Sequence, residues 1–214
     1  MKSTVKKTVL KISVHKHLIG IDEVGRGPIA GPVAVGAFCV SLSDLPKIKR
    51  IFKGVKESKQ LSESKREEWF SIIEEHKKSG LINFRVAFQS EKTIDKKGLS
   101  FALNSALATS LREVRPSGGP TSTCRVLLDG GLKAPVEFTN QKTIIKGDEK
   151  ELVIALASIC AKVLRDRKMN RLGKKNPNYG FEFHKGYGTK AHYAAIESSG
   201  PLSSHRKSFL KGIK

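Results

Sequence analysis

Apolar and polar positions along this chain change period repeatedly, and each change marks an element. Leu10, Ile12 and Val14 alternate with Lys11, Ser13 and His15, the two-residue period of a short strand. Residues 18–22 form an apolar run that predicts a second strand, and the run stops abruptly at Asp22-Glu23 and a Gly/Pro-rich turn. Residues 33–40 are apolar on both alternating faces, which predicts a central strand covered on two sides. Residues 41–46 read as a turn and residues 48–62 as a polar, lysine-rich connection. Ser62 is placed to cap a helix over residues 65–78, where Trp69, Ile72, Ile73 and His76 fall at i, i+3, i+4 and i+7 on one stripe.

Past Gly80 the two-residue period returns over 82–88, and a helical period then runs from Ser90-Glu91 to residue 114. Residues 125–129 form an apolar strand ending in Asp129 and two glycines. A short strand over 143–146 leads into Gly147-Asp148-Glu149. Residues 150–169 then read as a helix, apolar almost all round, which marks it as buried and central. Beyond it periodicity fades until a last helix over 189–198, stopped by Gly200-Pro201. Strands alternating with helices predict an α/β domain with a mixed sheet over residues 1–170. A smaller helical and loop-rich region over 171–214 is expected to pack on it.

Charge narrows the class of partner. Forty Lys and Arg against twenty Asp and Glu leave a formal +20, a field that attracts polyanions. No apolar run approaches the roughly 18 residues of a membrane span, so no membrane partner is expected. Residues 1–16 are basic and lack a signal-peptide core, which points to the cytoplasm. Cys39, Cys124 and Cys160 are widely spaced, with no CxxC or Cys/His cluster. They read as buried free thiols in a reducing compartment, not as zinc ligands.

The candidate chemistry lies where apolar runs end. Asp22-Glu23, Asp129 and Asp148 each follow such a run and each stands by a glycine. If the strands are neighbours, four carboxylates converge at one sheet edge and need cations between them. With no His or Cys among them, hard oxygen-seeking ions fit, Mg²⁺ or Mn²⁺. Two such ions about 3.5–4 Å apart would support phosphoryl transfer to water. Gly25-Arg26-Gly27 adds a close-approaching backbone and a guanidinium fork suited to phosphate. Lys162 is expected to make a structural hydrogen bond or ion pair, and Asp166 an ion pair with Arg165 or Arg167. His184, His192 and His205 show no metal-ligand spacing and are expected to contact phosphate or to pack.

The run Asp22-Glu23-Val24-Gly25-Arg26-Gly27-Pro28-Ile29-Ala30-Gly31-Pro32-Val33 closely resembles the signature of ribonuclease HII. In order along the chain, Glu57-Ser58-Lys59-Gln60-Leu61-Ser62 resembles the family's (D/E)SKxLS stretch, with Glu57 where aspartate is common. Leu128-Asp129-Gly130 and Lys146-Gly147-Asp148 resemble its second and third acid motifs. Residues 157–166 resemble its ASIxAKVxRD helix, with Cys160 in a small apolar slot. His184-Lys185-Gly186-Tyr187-Gly188-Thr189 and His205-Arg206-Lys207-Ser208-Phe209 resemble its C-terminal motifs.

The resemblance implies an RNase H-like fold, a mixed five-stranded sheet flanked by helices with a small helical C-terminal region. It implies an endonuclease, with Mg²⁺ or Mn²⁺ and two ions as the expected cofactor. The enzyme would cut RNA in RNA–DNA hybrids and incise 5′ of single ribonucleotides in duplex DNA, as in ribonucleotide excision repair. The products would be 3′-hydroxyl and 5′-phosphate ends, and the protein a monomer. Carried over by position, Asp22, Glu23, Asp129 and Asp148 are the catalytic metal-binding acids. Gly25, Arg26 and Gly27 would read the ribose 2′-OH, Tyr187 would pack on the following deoxyribose, and Ser58 and Lys59 would contact phosphate. Ribonuclease HIII is similar at the acids but usually has GKG and an extra N-terminal domain, for which residues 1–16 are too short. A non-catalytic basic RNA-binding protein would explain the charge but not four acids at strand ends.

Overall fold

The computed structural model of the chain describes residues 15–55, 61–116 and 119–210. The strand expected over 10–14 therefore lies outside the described residues. Five strands form one sheet in the order β3-β2-β1-β4-β5: β1 (His17–Val24), β2 (Val33–Ser41), β3 (Ile82–Gln89), β4 (Cys124–Asp129) and β5 (Gln141–Ile144). The sheet is mixed. β1 pairs antiparallel with β2, β2 antiparallel with β3, and β1–β4–β5 run parallel.

β2 is buried from Val33 to Val40 because helices cover both faces. On one face, α3 (Glu91–Lys97) and α4 (Leu99–Val114) close a core of Ile19, Ile21, Val35, Leu103, Leu107 and Leu128. On the other, α1 (Leu45–Ile51), α2 (Glu63–Lys78) and α6 (Leu152–Lys175) pack over Phe38, Phe84 and Leu127. α6 lies almost flush on the sheet. A Cβ at Gly20 would stand 2.2 Å from the Val153 carbonyl, and one at Gly36 2.4 Å from the Ala157 oxygen. Those two missing side chains bring the helix backbone down onto the middle of β1 and β2.

Helix signals in the sequence are matched at several ends. The Ser62 hydroxyl accepts from Lys65 N at 3.2 Å and starts α2, and Ser90 does the same for α3 through Thr93 N. Gly98, at φ 84°, breaks the predicted 90–114 helix into α3 and α4. Within α2 the deepest residues are Phe70 and Ile73, with Trp69 and Ile72 half-buried beside them. Phe70 meets Phe84 edge-on at 5.5 Å.

Three expectations need correction. The polar connection over 48–62 begins inside α1, because Ile48 and Phe52 are fully buried apolar anchors between charged neighbours and Pro46 suits a first helical turn. The fifth strand is Gln141–Ile144, two residues earlier than expected, because Lys146 turns left-handed at φ 54° and opens the short helix α5 (Gly147–Lys150). Finally, α6 continues to Lys175. It runs past the helix end expected at residue 169, since Met169 is buried in a separate cluster with Ile29, Tyr179, Phe181 and Ile196. α7 (Phe181–His184) and α8 (Lys190–Ser199) complete that cluster.

Candidate active site

The parallel pairing of β1 and β4 brings the first acids together. Ile21 is opposite Leu128, so the next residues, Asp22 and Asp129, leave adjacent strands at the same edge of the sheet. Neighbouring strands lie about 4.8 Å apart. Asp148 joins from β5's side, on α5 and not at a strand end. Gly147 N donates to Asp129 Oδ1 at 2.6 Å, which ties the start of α5 to the end of β4. A Cβ on Gly147 would meet Ile154 Cδ1 at 2.7 Å, so the turn tolerates little else there.

Burial gives the acids their electrostatic character. Asp22 is 6% exposed and Asp148 5%. Burial raises the Asp22 pKa from 3.8 to about 7; a hydrogen bond from Ser158 on α6 works against the rise, and the charges of Glu23 and Asp129 add to it. Asp22 Oδ1 also accepts from Glu23 N at 2.8 Å. Glu23 Oε1 pairs with Arg26 Nη1 at 2.9 Å, while its other oxygen, Oε2, is buried without a hydrogen-bond partner. Among the described residues no three His, Cys, Asp or Glu side chains stand as a ready ligand group. The acids are neighbours in charge and in register, short of a closed ligand set. Their chemistry fits a hard divalent cation: all donors are carboxylate oxygens, one is orphaned, and burial, with the neighbouring acid charges adding to it, raises the cost of leaving Asp22 ionised without a cation.

The Gly25–Pro32 turn follows β1 directly and is held from inside by two buried arginines. Arg206 donates through Nη2 to Gly25 O at 2.6 Å, through Nη1 to Arg26 O at 2.9 Å and through Nε to Gly31 O at 3.0 Å. Arg165 on α6 donates to Pro32 O at 2.9 Å and to Lys185 O at 3.1 Å. Burial, and then the neighbouring Arg165 charge, lower Arg206 to about 10, so it stays cationic at neutral pH. Peptide planarity sets what faces outward. With the Gly25 and Arg26 carbonyls turned in to Arg206, the N–H groups of Arg26 and Gly27 point away from it.

Tyr187 completes the turn. It is 44% exposed, and its Cε1 lies 3.7 Å from where a Gly27 Cβ would stand. Gly186 O accepts from Ile29 N and Ala30 N at 2.9 and 3.2 Å, so the tyrosine loop is docked on the glycine turn by backbone bonds. The structure thus brings Asp22, Glu23, Asp129 and Asp148 to one edge and Gly25, Arg26, Gly27 and Tyr187 beside them. Ser58 and Lys59 lie outside the described residues.

Sequence reasoning missed the roles of Arg165 and Arg206. Arg165 reads as a dipole-favoured cation at a helix end, and Arg206 as part of a basic tail; both are fully buried. The only signal was an arginine within an apolar helix and within a dense motif. Asp166 does not pair with Arg165 or Arg167 as expected. It takes Lys162 at 3.0 Å and Arg66 at 4.0 Å, while Arg167 pairs with Glu67 across to α2. Lys162 has its structural ion pair, and the three cysteines are buried free thiols.

A mixed 3-2-1-4-5 sheet with carboxylates at the ends of its central parallel strands defines the class, a metal-dependent endoribonuclease with an RNase H-like fold. The ribonuclease HII family model matches residues 19–211. A ribonuclease HII of Clostridium botulinum is 41% identical over 198 residues, covering 92% of this chain and 68% of that protein. One of Caldicellulosiruptor bescii is 40% identical, covering 93% and 89%. Among solved structures, the ribonuclease HII in a PCNA complex from Archaeoglobus fulgidus superposes with a TM-score of 0.70 at 26% identity, covering 91% of this chain and 94% of that one. The chain belongs to the ribonuclease HII family. A non-catalytic RNA-binding protein is thereby set aside.

Proposed function

We propose that this endoribonuclease hydrolyses the RNA strand of RNA–DNA hybrids and incises 5′ of single ribonucleotides in duplex DNA, leaving 3′-hydroxyl and 5′-phosphate ends. Asp22, Glu23, Asp129 and Asp148 would hold Mg²⁺ or Mn²⁺, as two ions. When bound, such ions supply an activated water and stabilise the leaving oxygen. The chain's own residues choose the phosphodiester. The outward N–H groups of Arg26 and Gly27 donate to the ribose 2′-oxygen and its phosphate, and the Arg26 guanidinium, half-exposed on Glu23, is free to swing onto phosphate. With deoxyribose the donor that faces the 2′ position is left without an acceptor, which penalises DNA there. Tyr187 packs on the sugar of the next nucleotide, and Ser58 and Lys59 add phosphate contacts.

One observation carries this reading: the acid pair, the glycine turn and Tyr187 are contiguous, because Asp22-Glu23 runs into Gly25-Arg26-Gly27 and Tyr187 stands over Gly27. The catalytic unit is taken as residues 1–170, with 171–214 packed on it. No helix of the described residues is long and apolar enough to cross a membrane, and we place the enzyme in the cytoplasm as a monomer.

The test is Asp22→Asn, which keeps shape and removes charge. Cleavage of a duplex with one embedded ribonucleotide should fall by about 10³-fold, the scale of several kcal/mol of lost transition-state stabilisation. A cleavage rate equal to that of the parent protein would overturn the reading.

A further inference from the structure

Behind Tyr187 lies a polar chain that the chemistry described so far does not use. His192, on α8, is fully buried, and His205 is 1% exposed. His192 Nδ1 is 2.8 Å from the Tyr187 carbonyl oxygen, and its Nε2 is 3.0 Å from His205 Nε2. His205 Nδ1 accepts from Leu202 N at 2.9 Å. His184 stacks on the His192 ring at 4.2 Å, accepts from Gly186 N through Nδ1, and meets the Tyr179 oxygen through Nε2 at 2.7 Å.

With neutral rings, one set of proton positions satisfies every contact of 3.1 Å or less, leaving only the longer 3.3 Å approach of His205 Nδ1 to the Leu202 oxygen unused. A carbonyl can only accept, so His192 carries its proton on Nδ1. Its Nε2 must then accept, so His205 donates from Nε2, which leaves His205 Nδ1 as the acceptor that Leu202 N needs. His184 is fixed likewise with its proton on Nε2. The chain of donors therefore runs Leu202 N–H, His205, His192, Tyr187 C=O, with one proton on each of these two rings. His205 is also bonded into the turn region: it bridges to Ala30, and the next residue, Arg206, holds the Gly25 and Arg26 carbonyls.

We infer that His205 and His192 are positioning residues for substrate selection: a tautomer-locked relay that fixes the Tyr187 peptide, and so the placement of its ring over Gly27. The ligand contact served is the deoxyribose that follows the ribonucleotide. The inference rests on the reading of Tyr187 given under the proposed function. A relay suits this task because Lys185 and Gly186 adopt left-handed backbone, at φ 49° and 87°, and such a loop needs an external hold to keep one conformation.

Two measurements test it. The first uses no substrate: ¹⁵N-edited NMR of the imidazoles at pH 7 should show His192 protonated on Nδ1 and His205 on Nε2, both neutral. The opposite tautomer, or an imidazolium, overturns the relay whether or not the nuclease reading survives. The second compares His192→Leu with His192→Asn, whose amide nitrogen can take the Nδ1 place and still donate to the Tyr187 oxygen. The readout is the ratio of cleavage rates on a single-ribonucleotide duplex and on a continuous RNA–DNA hybrid. His192→Leu should lower that ratio about tenfold, as expected for one lost buried hydrogen bond, and His192→Asn should recover most of it. In a Tyr187→Ala background His192→Leu should lower the ratio no further. Equal loss on both substrates, or an undiminished effect without Tyr187, reduces the pair to packing and overturns the inference. Should His192→Leu fail to fold, His205→Leu against His205→Gln reads the same relay, because glutamine keeps a donor at the Nε2 place.

Discussion

At the scale of single residues, the site depends on which atoms are missing as much as on which are present. Gly25 and Gly27 look alike in sequence and differ in the folded chain. Gly25 has φ 88°, and a Cβ there would lie 2.3 Å from Arg165 Nε and 2.9 Å from the Pro32 oxygen. Gly27 has ordinary backbone and only the Tyr187 ring at 3.7 Å. Gly25→Ala should therefore cost about 1–3 kcal/mol of stability in denaturant unfolding, and Gly27→Ala little. Gly27→Ala should instead weaken preference for a ribonucleotide over a deoxynucleotide at the cut. Equal stability losses for the two would contradict this division. A second residue-scale effect is pH-dependent. Burial is the main cause that lowers His192 to about 4 from an ordinary 6.5. Between those values the unfolded chain binds the proton that the folded chain refuses, so stability falls as pH drops from about 6.5 to 4 and is fully present above that window. His192→Asn should flatten this part of the stability–pH curve; an unchanged slope would mean another group is responsible.

At the scale of elements, α6 and the 204–206 segment organise the site from opposite ends. α6 supplies Ser158 to Asp22, Arg165 to the Pro32 carbonyl and Met169 to the C-terminal cluster, all from one helix laid flush on Gly20 and Gly36. The 204–206 segment adds backbone bonds, Ser204 O to Gly31 N and Arg206 N to Ile29 O, before the Arg206 guanidinium takes three carbonyls. Arg206→Met preserves length and apolar stem but leaves three buried acceptors unpaired. At about 1–3 kcal/mol for each, it should be among the most destabilising single changes in the chain, and any folded fraction should lose ribonucleotide selectivity with the turn. A melting temperature within a degree of the parent would show that the carbonyls find other donors. The element boundaries missed in the sequence have the same origin. Lys146 in a left-handed conformation has no sequence signature, yet it moves Asp148 from a strand end onto α5.

At the scale of the whole molecule, the +20 charge is a field more than a set of contacts. It supplies affinity for phosphate without sequence preference, so KM for a duplex should rise steeply with salt, by about 10³ between 50 and 200 mM if six or more phosphates are neutralised, while kcat changes little. A KM flat across that range would assign duplex affinity to the glycine turn and tyrosine instead. What the sequence alone determined is what periodicity and local chemistry encode: alternating strands and helices, capped starts at Ser62 and Ser90, buried thiols, and acids and glycines at the ends of apolar runs. Each is a property of neighbours along the chain. Tertiary structure alone decided which strand lies beside which, and so that Asp22 and Asp129 share an edge. It decided that two arginines 41 positions apart would turn inward onto one loop's carbonyls, and that His192 and His205 would meet behind Tyr187. Those partners are distant in sequence, and a buried guanidinium or imidazole has no local pattern. Its meaning resides in the acceptor it finds once the chain has folded.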